Sequence, residues 1–260
     1  MIDPLMFIAL LPAVVLVVYI CRKDRTDKEP PALIAKLLGY GALSCLPAIV
    51  VELILSAVIE RLNVRSVYLG YFLEAFVVAG LTEETCKFLF LRTTWRNPAF
   101  DYQFDAIVYA VMVALGFAAF ENVKYVYSYG FATGIVRAVT AVPGHAIFGV
   151  FMGYFYGYAK LSDYWGRGED RKAYLALSVV VPVLLHGCYD FLAFAQESDS
   201  RFTLLFYAYL IALYVFGIRR VNRSARDDRR VTRETVFDYF RRMQYPMPPQ
   251  YRDRNDDFWR

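Results

Sequence analysis

Apolar residues dominate seven long segments of the chain, and charged residues collect between them. The segments run approximately over 4–20, 33–59, 68–92, 104–126, 138–160, 173–195 and 202–218. Each comes close to or exceeds the roughly 20 residues with which an α-helix crosses the hydrocarbon core of a bilayer. The pattern predicts an all-α, polytopic transmembrane bundle of about seven spans. The stretch 127–142 fits an outer loop, an interfacial helix or the start of the fifth span.

Basic residues alternate in density from one predicted loop to the next. The loops after the first, third and fifth spans and the C-terminal tail are rich in Lys and Arg, whereas the other loops are poorer. The positive-inside rule puts the rich set in the cytoplasm, which predicts an outer N-terminus. We expect a transmembrane domain over 1–218 and an arginine-rich cytoplasmic tail over 219–260. The first apolar segment lacks a basic n-region and a small-residue cleavage site, so we interpret it as a retained helix.

The composition supports a membrane protein and gives no indication of a nucleic-acid partner. Hydrophobic residues make up 58% of the chain, and the net charge of +4 belongs to the loops and the tail. Part of the tail, 232–245, fits either an amphipathic helix on the inner leaflet or a solvated segment. The four cysteines form no CxxC pair, so we expect free thiols, most of them buried.

Four of the predicted spans contain side chains that the bilayer disfavours. A charge inside a bilayer costs about 2.5 kcal/mol or more, so each needs a partner or a function. These residues are Glu83, Glu84 and Lys87 in the third span, Glu121 and Asn122 in the fourth, His145 in the fifth, and His186 and Asp190 in the sixth.

Helical spacing relates these residues in pairs. Lys87 follows Glu83 by four residues and Glu84 by three, so it can form an ion pair with either. Neighbouring residues of a helix point about 100° apart, so one glutamate can pair with Lys87 while the other faces a cavity. His186 and Asp190 lie one turn apart on one face, where the carboxylate can orient the imidazole.

His145 lies on one helical face with three glycines, Gly149, Gly153 and Gly157, at four-residue steps. Glycines at this spacing let a second helix approach closely, so we expect His145 to point into the bundle.

The polar residues of the four spans also agree in depth. We count from the predicted cytoplasmic helix ends, with the third helix running to about Arg96. A rise of 1.5 Å per residue then places Glu84, Glu121, His145 and His186 about 18 to 24 Å deep. The sequence therefore predicts one layer of acids and imidazoles in the outer half of the membrane.

This set of side chains is suited to activating water. A glutamate can take a proton from water as a general base. Imidazoles and carboxylates can hold Zn²⁺, which makes bound water more acidic, or can polarise water without a metal. The HExxH pattern of many soluble zinc proteases is absent. Predicted catalytic residues are Glu83, Glu84, Glu121 and His186, with Lys87, Asp190 and Asn122 in support and Glu121, His145, His186 and Asp190 as candidate Zn²⁺ ligands.

The motifs Glu83-Glu84-x-x-Lys87, Phe117-x-x-x-Glu121 and His186-x-x-x-Asp190 resemble those of the PrsW family of membrane proteases. That family belongs with the type II CAAX prenyl endopeptidases in one superfamily. The resemblance covers roughly 68–195 and also includes the strings GFAAFEN, VPGHAIFGVFMGY and LLHGCYDF. It implies proteolysis of a membrane-anchored, single-span substrate such as an anti-sigma factor, cut first on its outer side. The family is usually classed as metal-dependent. Either Glu83 or Glu84 would be the base.

Two other classes of function fit the same residues. A proton- or metal-coupled transporter places acids and histidines at mid-membrane, and a non-catalytic scaffold could use them as structural ion pairs. The sequence shows no internal repeat of the transporter kind. Outside the cluster, we interpret Glu52 and Glu74 as structural or pore-related and Asp105 as an interfacial cap.

Overall fold

The structure is a computed structural model that describes residues 3–231, which are almost entirely helical. The elements are α1 Pro4–Lys23, α2 Pro31–Arg61, α3 Val67–Phe72, a π-helix Leu73–Leu81, α4 Thr82–Leu91, α5 Asp105–Tyr129, α6 Phe131–Val139, α7 Ala141–Tyr164, α8 Gly168–Ala195 and α9 Arg201–Arg226. Outside the helices, β-pairing among these residues is limited to one isolated bridge between Tyr102 and Arg230. The predicted all-α class is confirmed. The predicted tail segment 232–245 lies outside the described residues.

Within residues 3–231, six helical stretches are long and apolar enough to cross a membrane, and α6 with α7 counts as one of them. The third predicted span supplies a further crossing element. There α3, the π-helix and α4 contain six, nine and ten residues and follow one another without a break. Together they are long enough to cross a bilayer.

The ambiguous stretch 127–142 contains a helix end, a turn and a short helix. α5 continues to Tyr129 and ends at Gly130, whose φ of 87° lies in a region that glycine adopts without strain. α6 follows, and a break at Thr140 separates it from α7, with a φ of −119° and a ψ of −72°. The predicted fifth span, approximately 138–160, lies within this stretch of α6 and α7, and α7 itself begins at Ala141.

The third helix ends close to the predicted end of its apolar segment at 92 and does not continue as an α-helix to about Arg96. α4 ends at Leu91 and is followed by one 3₁₀ turn, Arg92–Thr94. The Thr94 hydroxyl donates a 2.7 Å hydrogen bond to the Leu91 carbonyl, and a side-chain bond of this kind competes with continuation of the helix.

α5 is the central helix, and most of its residues are buried. Its contact with α2 is made by glycine on both sides: a Cβ added at Gly41 or at Gly116 would lie 2.0 Å from a backbone oxygen of the other helix. The α7 glycines also contact α5, since a Cβ at Gly153 would lie 2.4 Å from the Ala106 carbonyl oxygen. The close approach predicted for this glycine face is confirmed. Backbone therefore meets backbone where α2, α5 and α7 cross.

The ends of several helices meet at one side of the bundle, which we name the basic face. α1 and α9 both end there, and Lys23 Nζ donates a 2.7 Å hydrogen bond to Asn222 Oδ1 between them. α5 begins there at Asp105, whose Oδ2 accepts hydrogen bonds from the backbone N–H groups of Asp101 and Tyr102. Asp105 is thus the first residue of α5 and bonds the turn that precedes the helix, whereas the N-cap position is Phe104.

The loop between α1 and α2 lies on the basic face and contains two partly buried acids. Burial raises the pKa of Asp24 to about 6 and that of Glu29 to about 7. Glu29 Oε1 accepts a 2.8 Å hydrogen bond from the Tyr109 hydroxyl of α5. This bond attaches the loop to α5 through an acid whose pKa is raised by burial.

Candidate active site

α4 begins with the two adjacent glutamates, and one lysine contacts both. Lys87 Nζ lies 3.1 Å from Glu83 Oε2 and 2.7 Å from Glu84 Oε1. All three side chains are buried, and Glu84 is 0% exposed. Lys87 also lies 4.0 Å above the ring of Phe117. A charge in this setting needs an opposite charge close by, so the ammonium stabilises both carboxylates.

His145 connects Lys87 to an acid on α5. Its Nδ1 lies 3.1 Å from Lys87 Nζ, and its Nε2 lies 3.0 Å from Glu121 Oε2. A lysine ammonium only donates hydrogen bonds, so Nδ1 accepts and Nε2 carries the proton that is donated to Glu121. The contacts therefore select one neutral tautomer of His145.

His186 lies between two carboxylates from different helices. Its Nδ1 is 2.9 Å from Glu84 Oε1, and its Nε2 is 3.2 Å from Asp190 Oδ2. The imidazole stacks on the ring of Phe148, with 4.9 Å between the centroids. Its ring centroid is 5.1 Å from that of His145. The two histidines of the chain thus meet edge to face in the bundle interior.

Glu121 has a second partner that the sequence reasoning did not identify. Arg137 of α6 donates from Nη2 to Glu121 Oε2 at 2.8 Å and from Nε to Asn122 Oδ1 at 2.9 Å. Asn122 in turn donates a 2.8 Å hydrogen bond to the Ala9 carbonyl of α1. Arg137 was counted only as a loop charge. The signal that could have found it is a lone arginine in an otherwise apolar nine-residue segment.

The cluster lines a cavity of about 500 Å³. Glu83, Glu121, His145, His186 and Asp190 contribute to its wall, together with Arg137, Glu52 and Glu74. Glu84 and Lys87 do not line it. The two adjacent glutamates therefore have different environments: Glu83 faces the cavity, and Glu84 is enclosed by Lys87 and His186.

The site lies in the half of the bundle away from the basic face. Glu121 is about two turns before the end of α5, and His145 is about one turn after the start of α7. Two cavity-lining side chains, Leu53 of α2 and Phe120 of α5, are 67% and 39% exposed on the outside of the bundle. The cavity thus reaches the lateral surface of the bundle, where lipid would lie.

The donor groups match the chemistry of a zinc site. One ligand atom each from Glu83, Glu84, His145 and His186 can lie within 4.8 Å of one another. Carboxylate oxygens and imidazole nitrogens are common Zn²⁺ ligands, and Glu84 Oε2 is buried without a hydrogen-bond partner. Glu121 and Asp190 are the other two candidate ligands from the sequence. In the structure Glu121 contacts the imidazole of His145, and Asp190 contacts that of His186. Lys87 Nζ contacts three of the four ligand groups, so a metal ion there would displace the ammonium.

Comparison with known proteins identifies the family. Residues 29–218 match the model of the PrsW family intramembrane metalloprotease. Protease PrsW of Oceanobacillus iheyensis is 35% identical over 214 residues, which cover 82% of this chain and 92% of that protein. Protease PrsW of Bacillus subtilis is 33% identical with the same coverage, and that of Clostridioides difficile is 31% identical over 87% of this chain and 94% of its own.

No solved structure matches the chain. The family match covers more than half of the sequence and includes all the polar residues of the cavity described above. Together with the helical membrane fold, this match shows that the chain belongs to the PrsW family of intramembrane proteases.

Proposed function

We propose that this membrane protease hydrolyses a peptide bond in a single-span membrane protein of the anti-sigma-factor type, near the outer face of the membrane. The observation that carries the proposal is Glu83, a buried carboxylate that faces a polar cavity beside two hydrogen-bonded imidazoles. The proposed orientation places the basic face in the cytoplasm and the N-terminus outside, in agreement with the positive-inside rule. The site then lies in the outer half of the bilayer.

In the proposed mechanism, Glu83 is the general base. It takes a proton from a water molecule in the cavity while the water oxygen attacks the carbonyl carbon of the scissile bond. The protonated Glu83 then transfers that proton to the leaving amine, which restores the carboxylate. Lys87, which does not line the cavity, holds the Glu83 carboxylate in place. Its ammonium offsets one of the two negative charges on α4.

The remaining polar groups position the reactants and stabilise charge. Glu121 and Arg137 fix the ring of His145, while Asp190 and Glu84 fix that of His186. Arg137 is a cation in the cavity wall that bonds Glu121, so it acts on the reaction through Glu121 and His145. Because these groups are oriented before substrate binds, little reorganisation is needed at the moment of reaction.

A zinc ion would be held by Glu84, His145 and His186, three of the four side chains whose ligand atoms can lie close enough together, so that Glu83 remains available as the base. When bound, it would polarise the scissile carbonyl and make water more acidic. Holding it requires Lys87 to withdraw from Glu84 and His145.

A transmembrane substrate would enter from the lipid phase beside α2. Leu53 is exposed on the outside of the bundle and also lines the cavity, and Phe120 of α5 does the same. A helical substrate must unwind locally before its backbone carbonyl can reach Glu83, and the cavity offers polar groups for the freed backbone. The substrate class is therefore a membrane protein with a cleavable segment near the end of its span.

Co-expression of candidate single-span substrates with the wild type and with single variants tests this assignment. Glu83→Gln should reduce cleavage by about 10²- to 10⁴-fold, the usual contribution of a general base, while the melting temperature stays near that of the wild type. Glu84→Gln should lower both cleavage and the melting temperature, because Glu84 is fully enclosed and bonds Lys87 and His186.

Glu60→Gln is the control, since Glu60 is an exposed glutamate at the end of α2. It should leave the fragment on the gel unchanged. Cleavage that persists in Glu83→Gln at the wild-type level would contradict the role of Glu83 as the base and assign that role to another carboxylate, such as Glu84.

A further inference from the structure

Two cavities meet at the arginines near the end of α9, on the basic face. The first, which we name the arginine pocket, has a volume of about 310 Å³. Its polar wall includes Gln103, Tyr154, Tyr158, Arg220, Arg223, Asp227 and Arg229.

The second cavity, the apolar groove, has a volume of about 480 Å³. Its wall includes Phe151, Leu185, Tyr209, Ala212, Leu213 and Phe216. Arg220 and Arg223 line both cavities, so the two spaces adjoin at these side chains.

The arginine pocket has an excess of positive charge. Three arginines line it against one acid, Asp227. Among the described residues, the pocket arginines make one ion pair, from Arg223 Nε to Asp227 Oδ2 at 3.7 Å. Both partners are largely exposed, so this pair contributes little and neutralises the pocket incompletely. The pocket is therefore suited to an anion.

Arg220 is held in position for such an anion. Its guanidinium carbon lies 4.0 Å from the centroid of the Tyr154 ring on α7. Stacking of this kind fixes the plane of the guanidinium while its N–H groups remain available to a phosphate. Positive charge at the cytoplasmic end of a span is common in membrane proteins. Arg220 differs from this general pattern, because it is half-buried, stacks on a ring of the neighbouring helix and lines a cavity.

The apolar groove has the length of a lipid chain in one leaflet. It follows α9 from Tyr209 to Arg219, which is about 15 Å at 1.5 Å per residue. Half of the hydrocarbon core of a bilayer is also about 15 Å thick. The groove ends at the arginines, so an acyl chain within it would bring its attached phosphate to Arg220 and Arg223.

We propose that the arginine pocket and the apolar groove together bind one anionic phospholipid of the leaflet at the basic face. The phosphate lies between Arg220 and Arg223, and one acyl chain lies along α9 between α7 and α8. Basic pockets between transmembrane helices recognise anionic headgroups through this combination of charge and apolar contact. The bound lipid would stabilise the packing of α9 on α7 and α8.

Native mass spectrometry of the full chain, released from detergent, tests the proposal directly. The protein is titrated with dioleoylphosphatidylglycerol, with dioleoylphosphatidylcholine as the zwitterionic reference. The wild type should retain one phosphatidylglycerol in preference to phosphatidylcholine. Arg220→Gln should lower this retention about fivefold, the factor expected for one arginine near an anionic headgroup, and the double variant Arg220→Gln, Arg223→Gln should lower it further.

Two matched variants separate a built site from diffuse surface charge. Arg22→Gln removes the same charge from the last turn of α1 on the same face, outside both cavities, and should leave retention unchanged. Ala212→Trp keeps every arginine but fills the groove, and should displace the lipid. Melting temperatures measured in phosphatidylcholine establish that each variant is folded, and Arg220→Lys should restore part of the retention if Arg220→Gln unfolds.

Three outcomes would overturn the proposal. The first is equal retention of the two lipids by the wild type. The second is an equal loss of retention in Arg22→Gln and Arg220→Gln, which would show diffuse attraction to the face. The third is a dimer mass in place of the lipid adduct, lost in Ala212→Trp, which would assign the groove to a second copy of the chain.

Discussion

The same three helices, α2, α5 and α7, pack differently in the two halves of the bundle. Toward the basic face and up to mid-membrane, glycines bring their backbones into contact, as at Gly41 and Gly116. In the other half the helices carry Glu52, Glu121 and His145, and a cavity of about 500 Å³ separates them. The comparison shows how a membrane bundle can hold a polar cavity: close backbone packing in one half supports an open, polar half.

The largest effect on stability should come from the open half, where Lys87 balances the charges of two glutamates on α4. Lys87→Met leaves Glu83 and Glu84 buried side by side without their cation. Loss of one partner of a buried ion pair costs about 3 to 5 kcal/mol, so the variant should unfold at a much lower temperature or fail to accumulate. Thermal unfolding in detergent measures this effect.

Lys172→Met is the control for that variant, because Lys172 is 68% exposed and its one ion pair within residues 3–231 is with Glu169 at the start of α8. Its melting temperature should remain within about 2 °C of the wild-type value, because an exposed ion pair contributes little to stability. An equal fall in melting temperature for Lys87→Met and Lys172→Met would contradict the stabilising role of the Lys87 ammonium.

The next effect should come from the packed half. Gly41→Ala places a Cβ 2.0 Å from the Val113 carbonyl oxygen, so α2 and α5 must move apart. Overpacking of this kind costs roughly 1 to 3 kcal/mol, which should appear as a lower melting temperature. Gly39→Ala is the control on the same helix, since a Cβ there has no neighbour within 4 Å. A smaller fall in melting temperature for Gly41→Ala than for Gly39→Ala would contradict the close packing of α2 on α5.

Sequence patterns predicted the spans and the approach of α7 to α5, because both depend on hydrophobicity and regular spacing. They did not separate Glu83 from Glu84, since the direction of each side chain depends on which neighbouring helix lies opposite it. Arg137 was missed because its role requires α6 to fold back over the end of α5 after Gly130. These features arise from tertiary packing, which local periodicity does not encode.

A smaller effect is expected from Arg137, which acts on the reaction through Glu121 and His145. Arg137→Gln removes the cation that bonds Glu121, so kcat should fall about 10- to 100-fold while KM changes little. Arg137→Lys should be intermediate, because a lysine keeps the charge but cannot reproduce the paired bonds to Glu121 and Asn122. Cleavage kinetics with a purified substrate provide the measurement.

The control for Arg137 is Lys124→Gln, which removes another cation from the wall of the same cavity. Lys124 has no bond to Glu121 among the described residues, so its loss should leave kcat nearly unchanged. A change confined to KM in Arg137→Gln would indicate a role in substrate binding and contradict its role in positioning His145.

The smallest effect concerns the loop on the basic face. Glu29 has a pKa raised to about 7 by burial, so the stability it contributes is complete below the unfolded pKa of about 4.5 and is lost as pH rises through 7. Glu29→Gln should therefore melt at a higher temperature than the wild type at pH 8, with the difference shrinking at pH 5. Glu60→Gln should show no such pH dependence. A wild-type melting temperature that rises between pH 5 and pH 8, with Glu29→Gln unchanged, would contradict the assignment.

The π-helix sets the rotational phase of α4, which carries the proposed base. Its nine residues, Leu73–Leu81, lead directly into Thr82, so every face of α4 follows from their winding. Adding or removing one residue there would turn Glu83 and Glu84 by about 100° around the helix axis, enough to exchange the cavity-facing glutamate for the enclosed one. The number of residues in this segment therefore determines which carboxylate faces the cavity.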